Sequence, residues 1–544
     1  MCAPQPGAIM STSTGRHPDF FSLTSLILIA PLCVVGAIIG TELITTLGIT
    51  TNTSLIGALA GMALARVPMA IFAQYKSIHV QNLAQSAISA ATFGAGNAMM
   101  LPIGIPFVLG RMDLVLPLFI GVFLATLIDG YLLYRMFDSE VFPAEGAWPP
   151  GVAAAEAIKA GDEGGRKGLV LLGGVGVGVL GSIGLFGLPV IPMSAFGVAF
   201  IGNIWALTMF GVGLLIRGYS SITMTWLTPG GDLMKAYMPH GIMVGAGLVA
   251  LVQVVMLMLK KDSGGGGVTR TPIATVRRTI AGGFVAYAVV AILIAILGGI
   301  VTEMPAGQLI AFILYAAFAA LIHELIVGLA AMHAGWFPAF AVALITLVIG
   351  IVIGFPAPAL ALMVGFSAAT GPAFADMGYD LKAGFMLRGY GADPEFEREG
   401  RKQQLLAAMF AFVVAGVVVL VSYKGYFAAD RVAPADRVFV AAIKAGASWD
   451  IARQMLIWAI PGAIIQFLGG PQRQLGVLFA TGLLLLNPIA GWAVLVGVVL
   501  RVIWTRATMG ARQSEMEVFA AGVIAGDALY SFYDSTTKTF FKKK

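Results

Sequence analysis

The sequence predicts an all-α polytopic membrane protein, with about 14–16 transmembrane helices in two internally repeated halves that contain broken or re-entrant segments. Three observations carry this prediction. The 544-residue chain is 58% hydrophobic and only 11% charged, against about 25% charged residues in soluble proteins. Apolar stretches near or above about 18 residues recur from end to end. Short motifs also recur in the same order at a nearly constant offset.

The charge pattern narrows the class further. The net charge of +6 is spread over short loops, so no clustered basic face for nucleic acid is present. The cysteines, Cys2 and Cys33, provide neither a disulfide framework nor a metal site, and no cofactor motif stands out. Gly176-x-Gly178-x-x-Gly181 fits a dinucleotide fingerprint, but it lies within an apolar span with no strand before it. Its glycines are expected to pack helices together.

Residues 1–20 read as a polar tail leading into a retained first span, without a clear cleavage site. A first transmembrane repeat covers 21–259, with spans near Leu23–Thr45, Ser54–Ala73, Val80–Leu109, Leu114–Met136, Leu169–Phe186, Phe196–Ile216 and Gly241–Leu259. Residues 260–279 form a basic, Gly-rich linker, cytoplasmic by the positive-inside rule. A linking transmembrane helix at 280–302 follows. The second repeat, 303–535, has apolar stretches at Gln308–Ala331, Trp336–Phe355, Ala357–Phe374, Leu405–Tyr423, Met455–Gly469, Leu475–Trp504 (broken at Asn487-Pro488) and Val518–Phe532. Lys382–Lys402 reads as a second basic cytoplasmic loop, and 536–544 as a basic C-terminal tail.

The repeat rests on collinearity. Ser89-Ala90-Ala91-Thr92 returns as Ser367-Ala368-Ala369-Thr370, an offset of 278. Ala157–Gly161 and Ala442–Gly446 both read AIKAG, an offset of 285. Asn203, Val212-Gly213 and Arg217 return as Asn487, Val496-Gly497 and Arg501, an offset of 284. Ala246-Gly247 returns as Ala521-Gly522, an offset of 275. Counting spans gives about eight crossings between equivalent points, which makes the repeat parallel. Such duplicated, broken-helix folds bind substrate at the repeat interface.

Polar groups inside apolar spans mark candidate sites, because a charge at the bilayer centre costs about 2.5–3.5 kcal/mol even on the mildest scale. Glu42, Asp129, His323, Glu324 and Asp527 qualify. Glu42 and Asp129 read equally as interfacial or functional. His323-Glu324 can hold and pass a proton, although neighbours on a helix do not face each other and a buried structural pair is the alternative. His79–Met100 places Gln81, Asn82 and Gln85 within about one turn, ahead of small residues. Either they bond to other helices or they line a polar cavity; Asn97, Pro102 and Pro106 suggest a broken helix and favour the cavity. Phe142–Gly165 carries Glu145, Glu156 and Lys159; Glu156 and Lys159 form an i,i+3 pair if helical, and Pro149-Pro150-Gly151 suits a helix start. This piece is a solvated helix or a re-entrant element. In the second AIKAG copy Ala441 stands where Glu156 stands in the first, so Lys444 must find its counter-charge elsewhere or stay in water.

The order of these motifs resembles the oligopeptide transporter (OPT) superfamily, in particular its prokaryotic and yellow-stripe-like branch. WPPGVAAAEAIKAGDEGG looks like the family's Pro-Glu-Gly…Ala-Glu-Val-Leu-Lys-Ala-Gly segment, with Glu156, Lys159 and Gly161 kept. VQNLAQSAISA looks like its Glu-Asn-Asn-x-Val-Gln-Thr-Ala-Ala-Ser-Ala helix. ADMGYDLKAG is similar to its Gly-Asp-Thr-Ser-Gln-Asp-Leu-Lys-Thr-Gly stretch, keeping Asp376, Asp380, Lys382 and Gly384. FAAGVIAGDAL resembles its last-span signature. The resemblance implies uptake of peptides or metal–chelate complexes across the cytoplasmic membrane, driven by protons, and makes a homodimer plausible. It departs at Val80 and Gln81, where the family has an acid and an amide, and at Trp336-Phe337-Pro338, where members often carry Asn-Pro. The substrate therefore does not transfer with the resemblance.

The resulting expectation is a non-enzymatic secondary transporter, with a channel or facilitator for a small polar solute as the alternative. Gln81, Asn82, Gln85, Asn97, Asn203 and Asn487 are the expected substrate contacts. Glu145, Glu156, Lys159, His323, Glu324, Asp376, Asp380 and Lys382 are expected to gate the path or carry the proton.

Overall fold

In a computed structural model, residues 16–47, 62, 67–68, 74–184, 190–259, 271–335, 339–446 and 449–540 are described. Most of the Ser54–Ala73 span, the Gly-run of the linker and Trp336-Phe337-Pro338 lie outside these residues. Prolines and glycines punctuate an all-helical chain. The helices are α1 (Leu23–Leu47), α2 (Ile78–Phe93), α3 (Leu101–Leu109), α4 (Val115–Met136), α5 (Pro149–Glu163), α6 (Gly165–Ile183), α7 (Met193–Ala199), α8 (Ile204–Thr223), α9 (Met238–Leu259) and α10 (Ile273–Leu297). They continue with α11 (Ala306–Ala334), α12 (Ala339–Ile353), α13 (Ala357–Ala369), α14 (Pro372–Leu387), α15 (Pro394–Ala428), α16 (Pro434–Ala445), α17 (Trp449–Gly469), α18 (Leu475–Leu484), α19 (Pro488–Ala507) and α20 (Gln513–Phe540).

Among the described residues, nine helical segments are long and apolar enough to cross a membrane, and three apolar helices are shorter. The protein is thus a polytopic helical membrane protein. The linking helix starts at Ile273, earlier than the expected Ile280, because Pro272 fixes its N-cap.

Four local readings differ from the sequence expectation. The stretch around Asn97 is not broken: Gly94–Met100 winds as a π-helix that joins α2 to α3. The widened turn absorbs Pro102, which has no N–H to donate, at the start of α3. By contrast, the Ala357–Phe374 stretch is split, since Gly371 adopts φ +97° and Pro372 starts a new helix. The Phe196–Ile216 stretch is split as well, where Asn203 caps α8. The expected basic loop Lys382–Lys402 is largely helix. Lys382 lies in α14, and α15 begins at Pro394 with Asp393 accepting from Glu395 N and Phe396 N. Three of its charges pair in the interior: Glu397 bonds Arg388 and Arg401, each at 2.7 Å, and Arg401 reaches Asp138 at 2.9 Å.

Helices separated by the repeat offset pair crosswise. α6 packs on α20, and α17 packs on α9; α8 packs on α18, and α19 packs on α7. α2 and α15 likewise pair, as do α13 and α4, and α5 on α14 is matched by α16 on α3. Two apolar cores result, one centred on α1–α4 and α10–α16, the other on α5–α9 and α17–α20. The α6–α20 contact shows how small residues make it possible. Gly174 and Gly178 meet Gly522 and Gly526 backbone to backbone, leaving no room for a Cβ on any of the four. Gly176 faces nothing within 4 Å, so the fingerprint-like run serves helix packing through Gly178 and through Gly181, which lies against Met193 of α7.

Candidate functional site

The densest buried polar cluster lies where α2 meets α14. Asn82, Gln85, Ser86 and Ser89 fall at i, i+3, i+4 and i+7, so they form one stripe on α2. Asp376 and Asp380 are one turn apart on α14 and are buried. Gln85 Nε2 donates to Asp380 Oδ1 at 2.6 Å, and the Ser89 hydroxyl donates to Asp376 Oδ1. From α15, Gln404 Nε2 donates to Ser86 Oγ at 3.1 Å and to the Asp380 carbonyl at 2.6 Å. Arg388 Nη1 donates to Gln404 Oε1 at 2.8 Å, which ties the cluster to the Glu397 ion-pair network.

Much of this cluster is unsatisfied. Both polar atoms of Asn82, the Oε1 atoms of Gln81 and Gln85, the Oδ2 atoms of Asp376 and Asp380, and the hydroxyls of Tyr75 and Tyr379 are buried without a hydrogen-bond partner. Buried polar groups ordinarily find partners, and each exception costs about 1–3 kcal/mol. The three amide oxygens accept only, and the carboxyl oxygens accept when ionised, so the arrangement is suited to a ligand rich in N–H groups.

The α5 segment closes on the same helix. Gly151 comes against Tyr379 O and Lys382 Cβ, and Lys382 Nζ donates to Ala144 O at 2.8 Å beside the exposed Glu145. The predicted i,i+3 pair is present, with Lys159 Nζ 3.2 Å from Glu156 Oε1. Lys159 also lies over the Tyr390 ring at 5.4 Å. Lys444, in the second AIKAG copy, is exposed.

A second buried cluster sits at the N-terminus of α14. Asp129, from α4, accepts from Gly371 N and Phe374 N at 2.9 Å. Tyr287, from α10, donates its hydroxyl to Glu324 Oε2 at 2.5 Å, and Glu324 stands one turn before Val327, whose side chain packs against Gly371 beside Asp129. His323 turns away from Glu324, with Nε2 2.8 Å from Ala339 O and Nδ1 3.3 Å from Thr370 Oγ1.

The structure thus brings Gln81, Asn82, Gln85, Asp376, Asp380 and Lys382 into one region, with Glu145, Glu156 and Lys159 beside it. Asn97 lies in the π-helical turn. Asn203 and Asn487 lie apart: Asn203 Oδ1 accepts from Trp205 N and Ala206 N, and Asn487 Oδ1 from Ala490 N, so each caps a helix. Glu42 pairs with Arg431 and accepts from Tyr426 at 3.0 Å. Asp527 accepts from Ser182 Oγ at 2.5 Å and Ser194 N at 2.8 Å. Sequence reasoning missed Tyr287 and Gln404, whose partners lie on other helices, and Tyr379, whose buried hydroxyl has none. The signal for Asp129, a lone carboxylate in mid-span, was there.

No curated protein matches the chain. The family model described as OPT oligopeptide transporter protein matches residues 175–535, more than half of the sequence. With its all-helical fold and multiple membrane-crossing helices, the chain belongs to the OPT family of oligopeptide transporters.

Proposed function

We propose that the protein is a proton-driven symporter of the cytoplasmic membrane that takes up short peptides, and that these bind at the α2–α14 seam. The single observation behind this reading is the set of unpartnered polar atoms on Gln81, Asn82, Gln85, Asp376, Asp380, Tyr75 and Tyr379. An acceptor-rich set suits the amide N–H groups and terminal ammonium of a peptide. It suits a carboxylate-rich metal chelate less well, since two buried carboxylates would repel it. Glu145, Glu156, Lys159 and Lys382 line the approach from α5, where salt-bridge exchange can gate entry. The crosswise pairing of helices at the repeat offset supports descent of the two halves from one duplicated unit.

The test is a thermal-shift screen of the purified protein with peptides, peptides plus metal, and metal–siderophore complexes, followed by uptake into proteoliposomes. Asn82→Ala and Gln85→Ala should abolish peptide-dependent stabilisation and uptake while the protein still purifies as a single species. Parent-like uptake by both variants would sink the assignment. Stabilisation by metal complexes alone would replace peptides by chelates.

A further inference from the structure

We propose that Asp129 and Glu324 together hold the transported proton, and that α14 links this proton to the ligand site. The inference rests on the transport reading above and adds the coupling site to it. Both carboxyls are wholly buried around Gly371 at the α13–α14 break, and two neighbouring buried carboxyls hold one shared charge more readily than two. Asp129 receives the Gly371 and Phe374 N–H groups, so it is the ionised partner. Glu324 is the protonated one. Its Oε2 accepts from Tyr287, and its Oε1 is buried with no donor of its own, as befits an oxygen that bears the proton.

The neighbours make this a closed unit. Tyr287 comes from α10, and the N–H groups come from α14. His323 and Thr370 bond to each other at the α13–α14 break, while Met409 and Phe412 of α15 reach Gly130 beside Asp129 and bring no charge. Neither carboxyl has a Lys or Arg ion-pair partner among the described residues. With one proton the pair carries a single negative charge, matched to the positive end of α14. Without it, two buried negative charges repel, and the N-terminal turn of α14 must shift to relieve them. That turn follows the break at Gly371, and Asp376 and Asp380 lie roughly one to three turns further along the same helix. Release of the proton is therefore mechanically tied to the carboxylates that face the ligand.

The experiment uses the full-length protein in proteoliposomes with tetraalanine as probe. Glu324→Gln keeps an acceptor for Tyr287 and leaves the Asp129 cap untouched. It should retain peptide exchange down an equal gradient and lose accumulation driven by an inward proton gradient; Glu324→Asp should restore part of it. Accumulation at the parent level in Glu324→Gln overturns the proposal, and so does equal loss of exchange and accumulation, which would make the pair purely structural. An infrared arm needs no transport. The parent should show the carbonyl band of a protonated carboxyl that vanishes in Glu324→Gln and shifts in Tyr287→Phe. Absence of the band overturns the proposal even if peptide uptake stands. A band that is present in a parent that never accumulates peptide against its gradient overturns the coupling and faults the proton-driven reading, without touching the peptide site.

Discussion

Among the described residues, Glu397 is the acid shared by two buried guanidinium groups, which makes its removal a sharp test of the network that fixes α14 to α15. Arg388 Nε lies 2.7 Å from Glu397 Oε2, and Arg401 Nε lies 2.7 Å from Glu397 Oε1. The side chains of Arg388 and Glu397 are 0% exposed, and that of Arg401 is 9% exposed. Glu397→Ala leaves Arg388 with no carboxylate, only the amide oxygen of Gln404. Breaking a buried pair from one side costs about 3–5 kcal/mol, since a charge stays buried without compensation. Arg388→Ala is milder, because Glu397 keeps Arg401. Arg401→Ala leaves Glu397 its Arg388 but also takes the guanidinium from the buried Asp138, so it falls between the two. The expected order of destabilisation therefore puts Glu397→Ala well above Arg388→Ala, and Arg388→Ala/Glu397→Ala below the sum of its parts. Thermal inactivation of detergent-purified protein, read by size-exclusion of the surviving monodisperse fraction, gives the ranking without assuming two-state unfolding. Equal stability of Glu397→Ala and Arg388→Ala would refute the shared-acid argument.

Two further outcomes follow from packing and capping. Gly178→Val should destabilise by about 1–3 kcal/mol or more, because its side chain would enter the Val523–Gly526 backbone of α20; Gly176→Ala, with nothing within 4 Å, should be neutral in the same inactivation assay. Asn203→Ala and Asn487→Ala should each cost about 1 kcal/mol of stability as lost N-caps, and leave the peptide concentration for half-maximal thermal shift unchanged; a weakened peptide response would return them to the binding site.

The membrane class and much of the helix layout were legible because apolar runs and proline positions act locally. Pro149, Pro372, Pro394 and Pro434 each open a helix. The i,i+3 pairing of Glu156 with Lys159 was legible for the same reason. The π-helical turn was not, since it depends on how the rest of the bundle holds Gly94 against Phe412. The Lys382–Lys402 stretch misled because its charges resemble a solvated loop. Only a fold that buries Arg388 and Arg401 around Glu397 turns them inward. Asn203 and Asn487 read as ligand contacts because an amide in an apolar run has two uses, and a helix start decides between them. Tyr287 meets Glu324 across 37 positions and Gln85 meets Asp380 across 295; no local pattern encodes such partnerships.

The repeat offset also explains why there is one polar seam and not two. At an offset of 278, Asn82, Gln85 and Ser86 of α2 correspond to Leu360, Met363 and Val364 of α13. Asp376 and Asp380 of α14 correspond to Ala98 and Pro102. The α2–α14 contact and the α13–α3 contact are thus equivalent by position, but one joins amides to carboxylates and the other joins apolar side chains. The flanking helices diverge in the same way. Lys382 covers Gly151 where α14 meets α5, and at the equivalent contact of α16 with α3 the bulk is exchanged, with Asp436 against Gly104. The helix geometry diverges too, as a π-turn keeps the first half continuous while Gly371 breaks the second. On the transport reading proposed above, the break at Gly371 beside the polar seam is where α14 would shift against α2, and the continuous, apolar counterpart would serve as the fixed partner. An alternating-access cycle needs one mobile binding element set against one rigid frame. On the duplication proposed above, divergence of two like halves into a polar, broken copy and an apolar, unbroken one would supply that asymmetry from a single fold.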